Sequence, residues 1–324
     1  MALRLIEMVL QKKDALEVHE LLKEHKVLDH RQVQLLGGEV LVRILLDAEQ
    51  NESILDLLDK KYTNEHNRAV ILPVEATLPR AEPVPPTTSV ASPEHIGREE
   101  LYEDIKDAAE CSHVYLAMLV LSTIVVTIGL LNNSVAIIIG AMVIAPMIGP
   151  SMALGLGTAL GDFLLLRHAL KTVLVGIAII MGLSVIIGIL VHVDPGMPEV
   201  VSRTKVKLSD VVLALASGCA GALAFTTGVS ETMIGVMVAV ALLPPLATFG
   251  LLLGSNYVAL SLESLSLFLM NLICVNFAGV TTFLIQGIHP LGWVEKKQAT
   301  KATYIAIGLW GGMLALLVVL VMII

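Results

Sequence analysis

Residues 139–150 read IGAMVIAPMIGP, and they sit inside a stretch, 133–160, that carries no charged side chain. About 20 apolar residues let a helix cross the hydrocarbon core of a bilayer. Inside that stretch Pro146 and Pro150 each remove a backbone donor and clash with the carbonyl four residues back. Gly140 and Gly149 lower helix propensity further. Lipid cannot satisfy the freed backbone groups, so such a break survives only where protein or a water-filled cavity does. The segment is therefore expected to be a broken transmembrane helix at the centre of a bundle.

The pattern returns downstream, where residues 234–245 read IGVMVAVALLPP. With Ile139 set on Ile234, Gly140 falls on Gly235, Met142 on Met237, Val143 on Val238 and Pro150 on Pro245. Further on, Gly155 falls on Gly250, still at one offset of 95 residues. Hydrophobic segments near 113–131, 134–160, 166–192, 208–228, 230–254, 257–287 and 302–324 predict about seven spans. The offset lays the first on the fourth and the third on the sixth. Three spans per copy is an odd number, so the copies must enter the membrane from opposite sides. Interrupted segments at matching places in inverted halves point to a transporter's central site.

Composition agrees with a membrane protein. The 324 residues are 56% hydrophobic and only 15% charged, with a mean hydropathy of +0.82. The formal net charge of −8 excludes a broadly basic nucleic-acid binder. Cys111, Cys219 and Cys274 form no CxxC pair, and no metal site or cofactor is expected. The opening residues show no secretory signal.

The first 75 residues predict a small α/β domain. LRLIEMVL reads as a strand, and Asp14 with Glu17 as the capping box of a helix. RQVQLLGGEVLVRILL reads as a hairpin turning at Gly37-Gly38. A second amphipathic helix carries Ile54, Leu57 and Leu58, and RAVILPV closes the unit as a strand. The order is βαββαβ, the ferredoxin-like arrangement. Residues 76–96 are a proline-rich linker, and 97–112 are a charged amphipathic helix lying on the inner membrane face. Residues 113–324 make the transmembrane domain. The expected fold is thus a multi-span α-helical membrane protein of about seven helices, with a 3+3 inverted repeat and broken helices, behind a cytoplasmic ferredoxin-like domain. The N-terminus is expected inside the cell membrane and the C-terminus outside, since the short inner loops hold Arg167, Lys171, Lys296, Lys297 and Lys301.

The residues expected to form a substrate site are Gly140, Pro146, Gly149, Pro150 and Ser151 in the first copy, and Gly235, Pro244, Pro245 and Thr248 in the second. Prolines and glycines would shape it, and Ser151 and Thr248 would supply hydroxyls. Half-helices starting there would aim free N–H groups at the midplane, which favours an anion or a carbonyl-bearing solute. A simpler expectation is a pair of kinked helices that merely pack well. Glu231, Asn271 and Asn276 are secondary candidates. A cap suits Glu231, and an interhelical hydrogen bond suits the two asparagines. Nothing in the sequence supports an enzyme: Asp162 stands alone, without a paired acid, a serine with a base, or metal ligands.

IIGAMVIAPMIGPSMALGLGTALGD, residues 138–162, together with the ferredoxin-like start and the proline linker, resembles a prokaryotic family of hydrophobic membrane proteins known as domain of unknown function 389. The resemblance implies a prokaryotic membrane location and brings no activity, substrate or catalytic residue. From the residues, the expected function is a transporter or channel for a small ion or solute. Its partners would be the bilayer, that solute and further copies of the chain, with assembly or regulation through the N-terminal domain. The alternative is a non-transporting membrane sensor or scaffold whose soluble domain binds a ligand or partner.

Overall fold

Alternation of apolar and polar residues makes Leu3–Gln11 a strand with one buried side, where Ile6, Met8 and Leu10 lie. The computed structural model describes residues 3–22, 27–35, 37–47, 54, 57–58, 61–62, 67–74, 77, 98–227, 231–288, 308 and 311–312, with backbone alone at 47, 73, 99, 231–237 and 240. It forms two compact units, Met1–Leu101 with Thr226–Gly228, and Tyr102–Phe225 with Val229–Ile324.

In the first unit β1 (Leu3–Gln11) is followed by α1 (Lys12–Leu22), β2 (Asp29–Gln34), β3 (Glu39–Asp47) and β4 (Ala69–Val74). The sheet is antiparallel, in the order β2-β3-β1-β4, as a βαββαβ chain pairs. Ala15, Val18 and Leu22 of α1 join Ile54, Leu58 and Tyr62 over Ile6, Met8, Val42 and Ile44. Each such buried aliphatic side chain contributes about 1.5–3 kcal/mol. Gly37 and Gly38 turn the hairpin with φ of 111° and 87°, which only glycine adopts without strain. The expected capping box does not form its helix start. α1 begins at Lys12, and Glu17 instead accepts from Lys61 and Tyr62. The proline linker lies outside the described residues except for residue 77.

The second unit is helical. After α2 (Arg98–Ala108), whose first residues belong to the first unit, come α3 (His113–Leu131), α4 (Val135–Ile144), α5 (Ile148–Leu160), α6 (Phe163–Leu190), α7 (Pro198–Val201), α8 (Leu208–Thr227), α9 (Glu231–Gly254) and α10 (Val258–Ile285). Helices α3, α6, α8 and α10 are long and apolar enough to cross a membrane. The pair α4–α5, bent by 56°, makes a fifth span if it counts as one. Thus about seven expected spans become four to five among the described residues. α9 has 24 residues, and its described apolar part is Ala241–Gly254. The last expected span, 302–324, falls almost wholly outside the described residues.

Two features repeat along the chain. α6 and α10 each have 28 residues and start at Phe163 and Val258. Each follows the same helix ending: Gly161 and Asn256 take φ of 67° and 66°, and the next N–H closes onto a carbonyl five residues back, Asp162 to Gly157 and Tyr257 to Leu252, both at 2.9 Å. This Schellman-type closure satisfies carbonyls that a helix end leaves free. The glycine-rich α5 is buried on every side from Ile148 to Ala159, and so is α9 from Ala241 to Leu252. Water and lipid are held off both segments by neighbouring helices, as freed backbone groups require.

Candidate functional site

In the first segment the chain breaks where the residue before a proline is barred from helical geometry. Ala145 is extended, with φ −70° and ψ 116°. Pro146 has no N–H for the Met142 carbonyl, and Met147 N–H turns back onto Ala145 O at 2.9 Å. α5 then starts at Ile148, which puts Pro150 in its first turn. A proline there loses nothing, because first-turn N–H groups have no partner inside the helix. Ser151 Oγ donates to Met147 O at 2.9 Å. Its proton therefore ties the break together and is not presented to a solute.

Gly149 has a packing role. A Cβ at this position would collide with the Ala108 carbonyl at the end of α2. The electronegative C-terminal end of α2 therefore lies against the N-terminal start of α5. The place where an anion was expected already faces a carbonyl oxygen. At the other end of α5, Tyr102 Oη donates to Asp162 Oδ2 at 2.8 Å, while Asp162 Oδ1 caps α6 by accepting from Leu164 and Leu165 N–H. Burial, and then Asp162, push the Tyr102 hydroxyl up to about 12. Gly140 is exposed and a Cβ there would meet nothing within 4 Å, so it stands outside the buried cluster. Pro146 is half-buried.

The second segment does not break, contrary to expectation: Pro244 and Pro245 lie inside the continuous helix α9. The offset of 95 sets Ala241, not a proline, at the position of Pro146. The adjacent pair Pro244-Pro245 withdraws donors from the Val240 and Ala241 carbonyls, and α10 replaces part of that loss. Asn271 Nδ2 donates to Ala241 O at 2.7 Å, and Ser264 Oγ donates to Pro245 O at 2.8 Å. The proposed half-helix N-terminus at Pro245 therefore does not exist, and Thr248 begins no helix.

Thr248 is fully buried, and its Oγ1 has no partner. Asn276 Nδ2 donates to Leu272 O within α10. The Oδ1 atoms of Asn271 and Asn276, like Ser184 Oγ on α6, have none. Glu231 and Gly235 fall where α9 is described by backbone alone, so their surroundings lie outside the described residues. Of the expected site residues, the structure joins Pro245 to Asn271 through the Ala241 carbonyl and leaves Gly140 apart. Ser264, Ser184 and Ala108 are participants the sequence reading missed. Ser264 had a signal: it precedes Asn271 by two helical turns on the same face.

The domain of unknown function DUF389 matches residues 142–277 of the chain. An uncharacterized protein of Methanocaldococcus jannaschii is 37% identical over 269 residues, covering 83% of each chain. No solved structure matches.

Proposed function

This chain belongs to the DUF389 family, and on that premise we propose that it is a membrane transporter or channel for a small ion or solute, built from two inverted copies of one helical unit. The observation that carries the proposal is a reciprocal crossing. A Cβ on Gly155 of α5 would touch Gly279 and Val280 of α10, and a Cβ on Gly250 of α9 would touch Ser184 and Val185 of α6. Gly155 and Gly250 differ by 95, and so do Ser184 and Gly279, and Val185 and Val280. A two-fold axis generates this kind of contact, in which i meets j′ while i′ meets j.

The equal lengths of α6 and α10 and the matched endings of α5 and α9 support the same duplication. So do Ile105 and Ala109 of the α2 region, whose counterparts at the same offset, Val200 and Thr204 by α7, are also buried. Each copy then comprises a short cover helix, a span, a central Gly/Pro segment and a long helix. Three membrane-crossing elements per copy give inverted topology, with the N-terminus in the cytoplasm and the chain in the cell membrane. A central pair of buried Gly/Pro segments, one broken and one carrying adjacent prolines, is a device of transporters and channels. It has no use in a simple anchor.

The N-terminal domain serves assembly of a homo-oligomer. Support comes from the open face of its sheet, where Val9, Val33, Val70 and Leu72 are exposed around the Glu7–Arg43 pair. Flux of candidate ions and solutes is to be measured on purified protein in liposomes. Saturable, protein-dependent uptake is expected. A folded protein that moves none of a broad panel leaves the scaffold alternative standing.

A further inference from the structure

We infer that the seam between α9 and α10 is a path for a monovalent metal cation, with Asn271 as its binding station. The inference rests on the membrane-spanning reading above and names the class of ion. Among the described residues of the helices α3–α10, the buried side-chain atoms without a partner are Ser184 Oγ, Thr248 Oγ1, Asn271 Oδ1 and Asn276 Oδ1, apart from Arg203 Nε in the segment joining α7 to α8. All four within the helices are oxygens. The Asn271 amide cannot be turned round to change this, because its partner, the Ala241 carbonyl, can only accept. Oδ1 therefore needs a donor or a cation. An orphaned buried oxygen carries an uncompensated desolvation cost, so a ligand that relieves it is favoured.

Two of these atoms, Asn271 Oδ1 and Thr248 Oγ1, lie on the α9–α10 seam. Asn271 bonds to Ala241 O and Ser264 to Pro245 O, so the two helices run antiparallel with those faces together. Thr248 lies on the same face of α9, next beyond Pro245. On α10, Ser261 lies one turn beyond Ser264 and is buried. At a rise of about 1.5 Å per residue, the Ala241, Pro245 and Thr248 positions of α9 follow one another at intervals of about 6 and 4.5 Å along the seam.

The chemistry selects the ion. No carboxylate lies on the described part of this seam, since Glu263 of α10 is exposed. Divalent ions are held by carboxylate-rich oxygen sets, whereas neutral carbonyl and hydroxyl oxygens carry monovalent ions between weak successive stations. An anion is the poorer fit: Asn271 Oδ1 and the carbonyls can only accept, the Ser264 proton and one Asn271 amide proton are committed to α9, and α9 has no free N-terminus here, which leaves the Thr248 hydroxyl and the second Asn271 amide proton as donors.

The test uses full-length protein in detergent. The melting temperature is followed in lithium, sodium, potassium and choline chlorides at equal ionic strength, and in sodium chloride against sodium gluconate. At least one alkali cation should raise Tm above its choline value, by about 2–4 °C at ten times its Kd, and exchanging the anion should do nothing. Thr248→Val removes an oxygen that holds no partner, so the protein should fold while the cation shift at least halves. Asn271→Leu should abolish the shift. Equal Tm in choline and all alkali salts, a shift that follows the anion, or a full shift in Thr248→Val overturns the path. A cation shift lost in these variants without any liposome flux upholds the site and sinks transport. Anion flux without a cation shift upholds transport and sinks this site.

Discussion

Segments 139–150 and 234–245 share a pattern and end in opposite states. The first breaks and bends by 56°, with Ser151 and Met147 closing the turn. The second continues as α9 through two adjacent prolines. Each contains two prolines, so their number decides nothing. Their positions do: Pro146 stands where the second segment has Ala241, and Pro150 escapes any cost by falling in a first turn. The neighbours matter as much. Asn271 donates to the carbonyl that Pro245 frees. Ninety-five residues before Asn271 stands Gly176, where a Cβ would come within 2.9 Å of Tyr115 Oη. Two segments of matching sequence pattern thus form one broken and one continuous element.

The largest effect should come from giving the second segment the first segment's break. Ala241→Pro places a third proline inside α9 and should cost about 3 kcal/mol or more, read as a fall in thermal or denaturant midpoint. If stability is unchanged, position 241 does not decide the difference.

Next comes the Asn271 bond. Asn271→Leu leaves the Ala241 carbonyl buried without its donor and should cost about 1–3 kcal/mol. Pro245→Ala restores a backbone N–H to that carbonyl, so in its background the same change should cost far less. Additive effects in this double-mutant cycle would show that Asn271 does not compensate for Pro245.

A smaller effect is expected at the α2–α5 contact. Tyr102→Phe removes one hydrogen bond to Asp162 and should cost about 1 kcal/mol. The Tyr102 pKa is raised to about 12 from an ordinary 10.0. Below pH 10 both folded and unfolded chains keep the proton. Between pH 10 and about 12 only the folded chain does, so stability falls through that window. Unfolding of the wild type and Tyr102→Phe, compared across it, should show the steeper fall in the wild type.

The smallest change should be Pro150→Ala, within about 0.5 kcal/mol, because its missing N–H has no partner in the first turn of α5. A large loss of stability there would show that Pro150, and not Pro146 alone, holds the joint.

The break at Pro146 was legible because an X-Pro step acts locally: Ala145 is extended for a reason written in its next residue. The βαββαβ order was legible for a similar reason, through strand alternation and Gly37-Gly38. The continuity of α9 was not, because its support comes from Asn271, distant in sequence. Nor was Gly149, whose need for a missing Cβ arises only when Ala108 approaches. Local rules thus found the break, and a donor distant in sequence supports the segment that stays continuous.

Inverted topology is tested most directly by where the two matched corners lie. Phe163 and Val258 open α6 and α10, and both are exposed. In a background with the three native cysteines replaced by serine, Phe163→Cys and Val258→Cys are to be treated on intact cells with a membrane-impermeant maleimide. Reagent should label position 258 from outside and reach 163 only after permeabilisation. Labelling of both positions from the same side would contradict the inverted repeat and the transport proposal built on it.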